Sequence, residues 1–191
     1  IDSGNIVAGG LGTVINVHVL GTGGTPLSGI TPDDDRWQFV ANGVVRDSTT
    51  DALMSFDSDG ATGRIITITT ANTPVRIAPY WDEERAAHLS TDANGRITLN
   101  TPKPAILHFS ASVTAEVETG TNKAISFYAT KNGTVITNSK ASNLVDAGNP
   151  RNTGVVWSVL MEPTDYLELW GENNTDNVDL VINSAIMKVG E

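Results

Sequence analysis

Cysteine is absent from this chain of 191 residues. That excludes a disulfide framework, a thiolate metal site and a cysteine nucleophile. Positive charge is sparse: 12 Lys plus Arg stand against 22 Asp plus Glu, a net charge of −10. The basic residues are scattered singly, whereas a nucleic-acid or anionic-membrane partner calls for clustered Lys and Arg. Neither partner is expected, and the acidity reads as a solubility feature. No apolar run approaches the roughly 18 residues of a membrane span, and no basic-plus-apolar leader opens the chain. Histidine is also scarce. His18, His88 and His108 lie far apart in sequence, and no Gly-x-Ser-x-Gly elbow is present. A Ser-His-Asp triad and a histidine metal site are both disfavoured.

What is there suits short strands and tight turns. Apolar residues make up 39% and charged residues 18%, a globular composition, and Gly, Thr, Asn, Ser and Val are plentiful. Eight of the 18 glycines precede Ile30. Residues 1–35 therefore read as an extended N-terminal arm, too rich in glycine to build a core of its own. Within the arm, Thr13-Val-Ile-Asn-Val-His-Val-Leu20 has strong β character and suits addition to a neighbouring surface. Residues 36–191 read as one all-β domain.

In that domain, turn signals recur every eight to twelve residues. Asn42-Gly43, Asn94-Gly95 and Asn132-Gly133 each separate apolar runs and predict hairpins, because both residue types tolerate positive φ. Over residues 105–118 the odd positions run Ala105, Leu107, Phe109, Ala111, Val113, Ala115 and Val117, while the even ones are mostly polar. A period of two held that long predicts a strand with one dry face. Only Asp82-Glu-Glu-Arg-Ala-Ala-His-Leu89 could pass for helix, of one or two turns.

The second half carries a set of motifs in order: Phe109-Ser-Ala-Ser-Val113, then Ile125 with Ser-Phe leading to Asn132-Gly133, then Thr164-Asp-Tyr-Leu-Glu-Leu169. Together these resemble the C1q/TNF-like jelly roll, in the versions found in bacteriophage virion proteins, over residues 96–189. Thr164 stands where that family has glycine. The resemblance implies an antiparallel jelly-roll β-sandwich that assembles as a homotrimer. In Tyr166-Leu-Glu-Leu-Trp170, Leu167 and Leu169 would face the core. Tyr166 and Trp170, with Tyr128, would then pack at the trimer interface, where aromatics are enriched.

Other constellations are weaker. Asp57-Ser-Asp-Gly60 opens like a calcium loop, with Asp57 and Asp59 as oxygen ligands, but the twelfth position is Ile68 where a bidentate Glu belongs. A hydrogen-bonded turn is the simpler reading, and no cofactor is expected. Trp37, Tyr80 and Trp81 near loops could offer a glycan an aromatic platform. The expected function is not enzymatic: a trimeric capsid decoration (cement) protein on the virion surface. It would bridge capsomers of the major capsid protein through arm residues Val14, Ile15, Val17, Val19 and Leu20. The competing reading is the receptor-binding tip of a phage tail fibre or spike that binds host surface glycans. A secreted cytokine-like or carbohydrate-binding module is a third class.

Overall fold

The computed structural model describes residues 39–41, 44–46, 50–57, 63–78 and 81–191. The arm residues Val14, Ile15, Val17, Val19 and Leu20, together with Trp37, Asp59 and Tyr80, lie outside them. The chain divides into two compact units, Ile1–Thr49 and Thr50–Glu191. In the first, β1 (Phe39–Ala41) and β2 (Val44–Arg46) pair antiparallel with Ala41 opposite Val44. This is the hairpin that Asn42-Gly43 predicted.

The second unit is a sandwich of two antiparallel sheets. Its strands are β3 (Asp51–Asp57), β4 (Arg64–Ile66), β5 (Val75–Arg76), β6 (Asp82–Ala87), β7 (Leu89–Thr91) and β8 (Ile97–Leu99). They continue as β9 (Ala105–Val117), β10 (Lys123–Lys131), β11 (Thr134–Val135), β12 (Ala141–Val145), β13 (Arg151–Met161), β14 (Tyr166–Asn173) and β15 (Leu180–Gly190). One six-stranded sheet runs β13-β9-β15-β3-β6, with β4 also paired to β15. A seven-stranded sheet runs β11-β10-β14-β8-β7, with β12 on β10 and β5 on β14. The pairs β3–β15, β8–β14, β9–β13 and β10–β12 nest inside one another. The chain is thus a long antiparallel hairpin rolled over on itself, which is the jelly-roll topology.

The core is one cluster drawn from both sheets. The long alternation of β9 buries Leu107, Phe109, Ala111, Val113, Ala115 and Val117, as the period of two requires. On β15 the buried set changes phase, from Leu180 and Ile182 to Ala185, Met187 and Val189. A bulge between Ile182 and Ser184 adds one residue and resets the alternation. Gly171 on β14 faces inward, where a Cβ would stand 3.0 Å from the Phe127 ring and 3.1 Å from Leu180. A side chain there would press on the Phe127 ring and on Leu180, so glycine suits the close approach.

The turns follow their chemistry. Asn132 (φ 52°) and Gly133 (φ 73°) join β10 to β11 with Lys131 opposite Thr134, a two-residue hairpin with both residues left-handed. Asp92 accepts from the amides of Asn94 (2.9 Å) and Arg96 (3.1 Å), closing the β7–β8 loop around Asn94-Gly95. The segment that could pass for helix is instead strand β6, paired with β3, followed by His88 at φ 59° and then β7. Pairing with the edge of an existing sheet overrides a short run of helix formers.

Candidate functional site

The outer faces of the two sheets are the surfaces available for function. On the seven-stranded sheet, β14 presents Tyr166, Glu168, Trp170 and Glu172 outward, while Leu167 and Leu169 are buried in the core as expected. Across β14, Trp170 lies opposite Tyr128 on one side and Arg76 on the other. Glu168 is only 1% exposed. Its Oε1 accepts from Arg76 Nη1 (3.2 Å) and from Arg96 Nε (3.3 Å) and Nη2 (3.2 Å), and its Oε2 accepts from Trp170 Nε1 (3.1 Å). The Arg96 guanidinium also lies over the Tyr166 ring, 3.9 Å from its centroid.

Glu172, 3% exposed, forms the second node. It accepts from the Tyr128 hydroxyl, from Lys140 Nζ at 3.1 Å and from Asn174 Nδ2 at 2.5 Å. Burial pushes its carboxyl up, but the hydrogen bonds from Tyr128, Asn174 and Lys140 outweigh burial and hold it below the usual carboxylate range. Burial together with the same contact raises the Tyr128 phenol. Every charged group in this band has its partner inside one chain.

The six-stranded sheet presents a different surface. Its outer face carries Ile106, Val156, Leu160 and Ile186, each 53–72% exposed. Leu160 pairs with Ile106 across β13 and β9, Val156 lies opposite Ser110, and Ile186 lies opposite Ser112. Between the apolar residues stand small ones (Ser110, Ser112, Gly154, Ser158), along with His108, whose Nδ1 is 2.7 Å from Ser158 Oγ. Between these apolar positions on β13, β9 and β15, Lys188 is the only formal charge among the described residues. This is an apolar, weakly charged surface.

These placements revise several sequence expectations. Tyr128 is 5% exposed and its hydroxyl is engaged with Glu172, so its own chain covers it and it has no face left for a partner. Tyr166 and Trp170 are half-buried within the ion-pair band, on the sheet opposite the exposed apolar face. Trp81 is 3% exposed, packs edge-on against Phe56 and donates from Nε1 to the Ile77 carbonyl at 2.9 Å, so it cannot stack on a sugar. Asp57 is exposed at the end of β3. The band of Glu168, Glu172, Arg76, Arg96 and Lys140 was not anticipated. Its signal in the sequence is that Glu168 and Glu172 share strand parity with Tyr166 and Trp170, and so a face with large apolar rings. The apolar face was signalled by Val155-Val156 and Leu160-Met161, where both sides of one strand are apolar.

No protein-family model matches the chain, and the search of curated proteins found no match. Solved structures do match, at low identity. Eiger TNF from S. frugiperda is 9% identical with a TM-score of 0.48, covering 75% of this chain and 92% of that one. PRD1 vertex protein P5 is 13% identical with a TM-score of 0.48, covering 75% and 96%. The globular domain of zebrafish complement 1qA protein is 8% identical with a TM-score of 0.47, covering 74% and 96%. The chain resembles C1q/TNF-like jelly rolls. The resemblance is one of fold, and at these values it transfers no activity or partner. Among the described residues, no helix is long and apolar enough to cross a membrane.

Proposed function

We propose that this chain is a non-enzymatic structural subunit of a virion, a capsid decoration protein that works as a homotrimer and reinforces the shell where adjacent capsomers meet. The observation that carries the reading is the exposed apolar face of the six-stranded sheet, with Ile106, Val156, Leu160 and Ile186 standing in solvent among serines and a glycine. Four large apolar side chains exposed on one sheet face suit a contact site. The small residues around it let a second backbone come close. Homotypic association about a symmetry axis would bury it without any new partner, and the β-rich arm of residues 1–35 would tie each trimer to the shell by strand addition. The virion setting is supported by the motifs Phe109-Ser-Ala-Ser-Val113 and Thr164-Asp-Tyr-Leu-Glu-Leu169. The fibre-tip reading is weakened by the burial of Trp81.

Sedimentation equilibrium tests the assembly: the expected mass is that of a trimer at micromolar concentration, and Val156→Glu reduces it to the monomer while circular dichroism stays unchanged. A wild-type monomer overturns the proposal. The shell role is tested by adding the protein to particles stripped of their decoration. Full-length protein should raise the temperature of genome release, and a version lacking residues 1–35 should trimerise but fail to bind.

A further inference from the structure

The charges of the outer band of the seven-stranded sheet are arranged in depth. Its anions are inside and its cations outside. The carboxylate side chains of Glu168 and Glu172 are 2% and 4% exposed, whereas Arg76, Arg96 and Lys140 are 36%, 36% and 41% exposed. Three cations against two buried carboxylates leave a local excess of one positive charge, on a protein whose net charge is −10. A guanidinium has five N–H donors. Glu168 takes one from Arg76 and two from Arg96, which leaves donors of both on the solvent side. Flat rings lie beside the cations. Arg96 stacks on Tyr166, Arg76 sits opposite Trp170, and Lys140 Nζ is 5.5 Å from the Tyr128 centroid. Glu168 also holds the Trp170 indole in place through Nε1.

We infer that this band is a binding site for a carboxylate-bearing sugar, a uronate or sialate residue of an acidic glycan, a site separate from the assembly face on the other sheet. The forked guanidinium matches a carboxylate in geometry as well as charge. The partly exposed Trp170 ring, held by Glu168, supplies an apolar surface against which a pyranose ring can rest, and the Tyr166 ring backs the Arg96 guanidinium. The buried glutamates act as positioning residues. They fix the two arginines at a set spacing, so little side-chain entropy is lost on binding. An acidic peptide would satisfy the cations but would make no use of the rings.

The test is calorimetric titration of the whole protein with oligogalacturonate, its methyl-esterified neutral form and poly-glutamate. Binding of oligogalacturonate that weakens with added salt, is lost on esterification and exceeds that of poly-glutamate supports the site. Arg76→Gln should weaken it about tenfold or more, the effect of one charge-assisted contact, and Lys103→Gln, a surface lysine outside the band, should leave it unchanged. Circular dichroism and thermal unfolding of Arg76→Gln check that the variant is folded. Should it not fold, Lys140→Gln replaces it, with a smaller weakening expected. Absence of binding at millimolar sugar overturns the proposal, as does equal binding of the neutral ester or of poly-glutamate, or wild-type affinity in a folded Arg76→Gln.

Discussion

On the seven-stranded sheet, two glutamates are buried beneath cations and aromatic rings of the same chain, whereas on the six-stranded sheet Ile106, Val156, Leu160 and Ile186 stand exposed among the described residues. The two surfaces come from strands with the same alternation and share one core. The difference lies in where each completes its contacts. Buried charges need their partners close and pre-placed, because an uncompensated charge out of water is expensive. A single chain can provide this, and here β5, β10, β14 and the segments beside β8 and β12 do so. Apolar area needs no particular partner, only removal from water, so it can wait for a second copy. One face is therefore completed within the fold, and the other is left open for the proposed assembly.

The sharpest way to break this comparison is to open the ion-pair band. Replacing Arg76 and Arg96 together by alanine leaves Glu168 buried with only the Trp170 indole as donor, and should cost about 3–5 kcal/mol in urea unfolding. Oligomeric mass should not change in the fraction that stays folded. If instead the double variant unfolds at wild-type urea but dissociates, the roles of the two faces are reversed. Next in size is Val156→Glu, which places like charges together between copies, a cost of several kcal/mol to association. Here the folded subunit should keep its structure and its own unfolding should change little. The pair of variants thus separates folding from assembly.

Much of this fold could be read from the chain, and the parts that could not share a cause. The alternation of residues 105–118, the hairpin at Asn132-Gly133 and the inward set Leu167 and Leu169 follow from local period and turn chemistry alone. The nesting of the strand pairs was reached only through the motif resemblance. The bulge at Ile182 and Ser184 leaves no mark in composition, because one extra residue among Val181, Ile182, Asn183 and Ser184 reads as unbroken strand. The site was harder still. Whether Tyr128 and Trp170 face a neighbour or their own chain depends on Arg76 and Lys140, which lie 94 and 30 residues from Trp170 in sequence. No local pattern joins Arg76 to Glu168. Trp81 was misleading for a similar reason: its closure under Gly95, where a Cβ would run into the indole, is a long-range fact.

Between the two faces runs the turn from β13 to β14, and its chemistry makes the difference visible in pH. Asp165 bonds to Lys131 Nζ, accepts from Asn132 Nδ2 at 2.6 Å and takes the Glu162 amide at 2.7 Å. The hydrogen bond from Lys131, then that from Asn132, lowers its carboxyl to about 2 from an ordinary 3.8. A depressed carboxylate stabilises the fold above its unfolded pKa and loses that contribution as pH falls through the folded one. Stability should therefore drop between about pH 5 and pH 2, with Asp165 contributing about 1–2 kcal/mol after allowance for its partial exposure. Asp165→Asn should flatten that part of the curve in denaturant titrations across pH. Among the described residues no Asp or Glu stands between Ile106, Val156, Leu160 and Ile186, so the mass of the proposed trimer should hold over the upper part of the same range. Dissociation that precedes unfolding on acidification would contradict the division.

The smallest expected effect is at the same turn, and it is a gain. Residues 162–165 close with the Asp165 amide donating to the Glu162 carbonyl at 3.0 Å, with Pro163 second and Thr164 third at φ 73°. That is the type II arrangement, which calls for glycine at the third position. A β-branched threonine held left-handed costs about 1–2 kcal/mol. Glycine removes that strain but adds disorder to the unfolded chain, a loss of about 0.5–1 kcal/mol. Thr164→Gly should therefore raise stability by about 1 kcal/mol, read as a higher urea midpoint at unchanged slope. The Thr164 amide, which donates to the Leu99 carbonyl at 2.9 Å, is kept in the variant, so the anchoring of the turn to β8 is not what changes. The position that departs from the C1q/TNF-like motif is thus the one whose backbone still has the glycine conformation. A destabilised Thr164→Gly would mean that the turn relies on the threonine side chain, and that the junction between the two sheets is held by more than its hydrogen bonds.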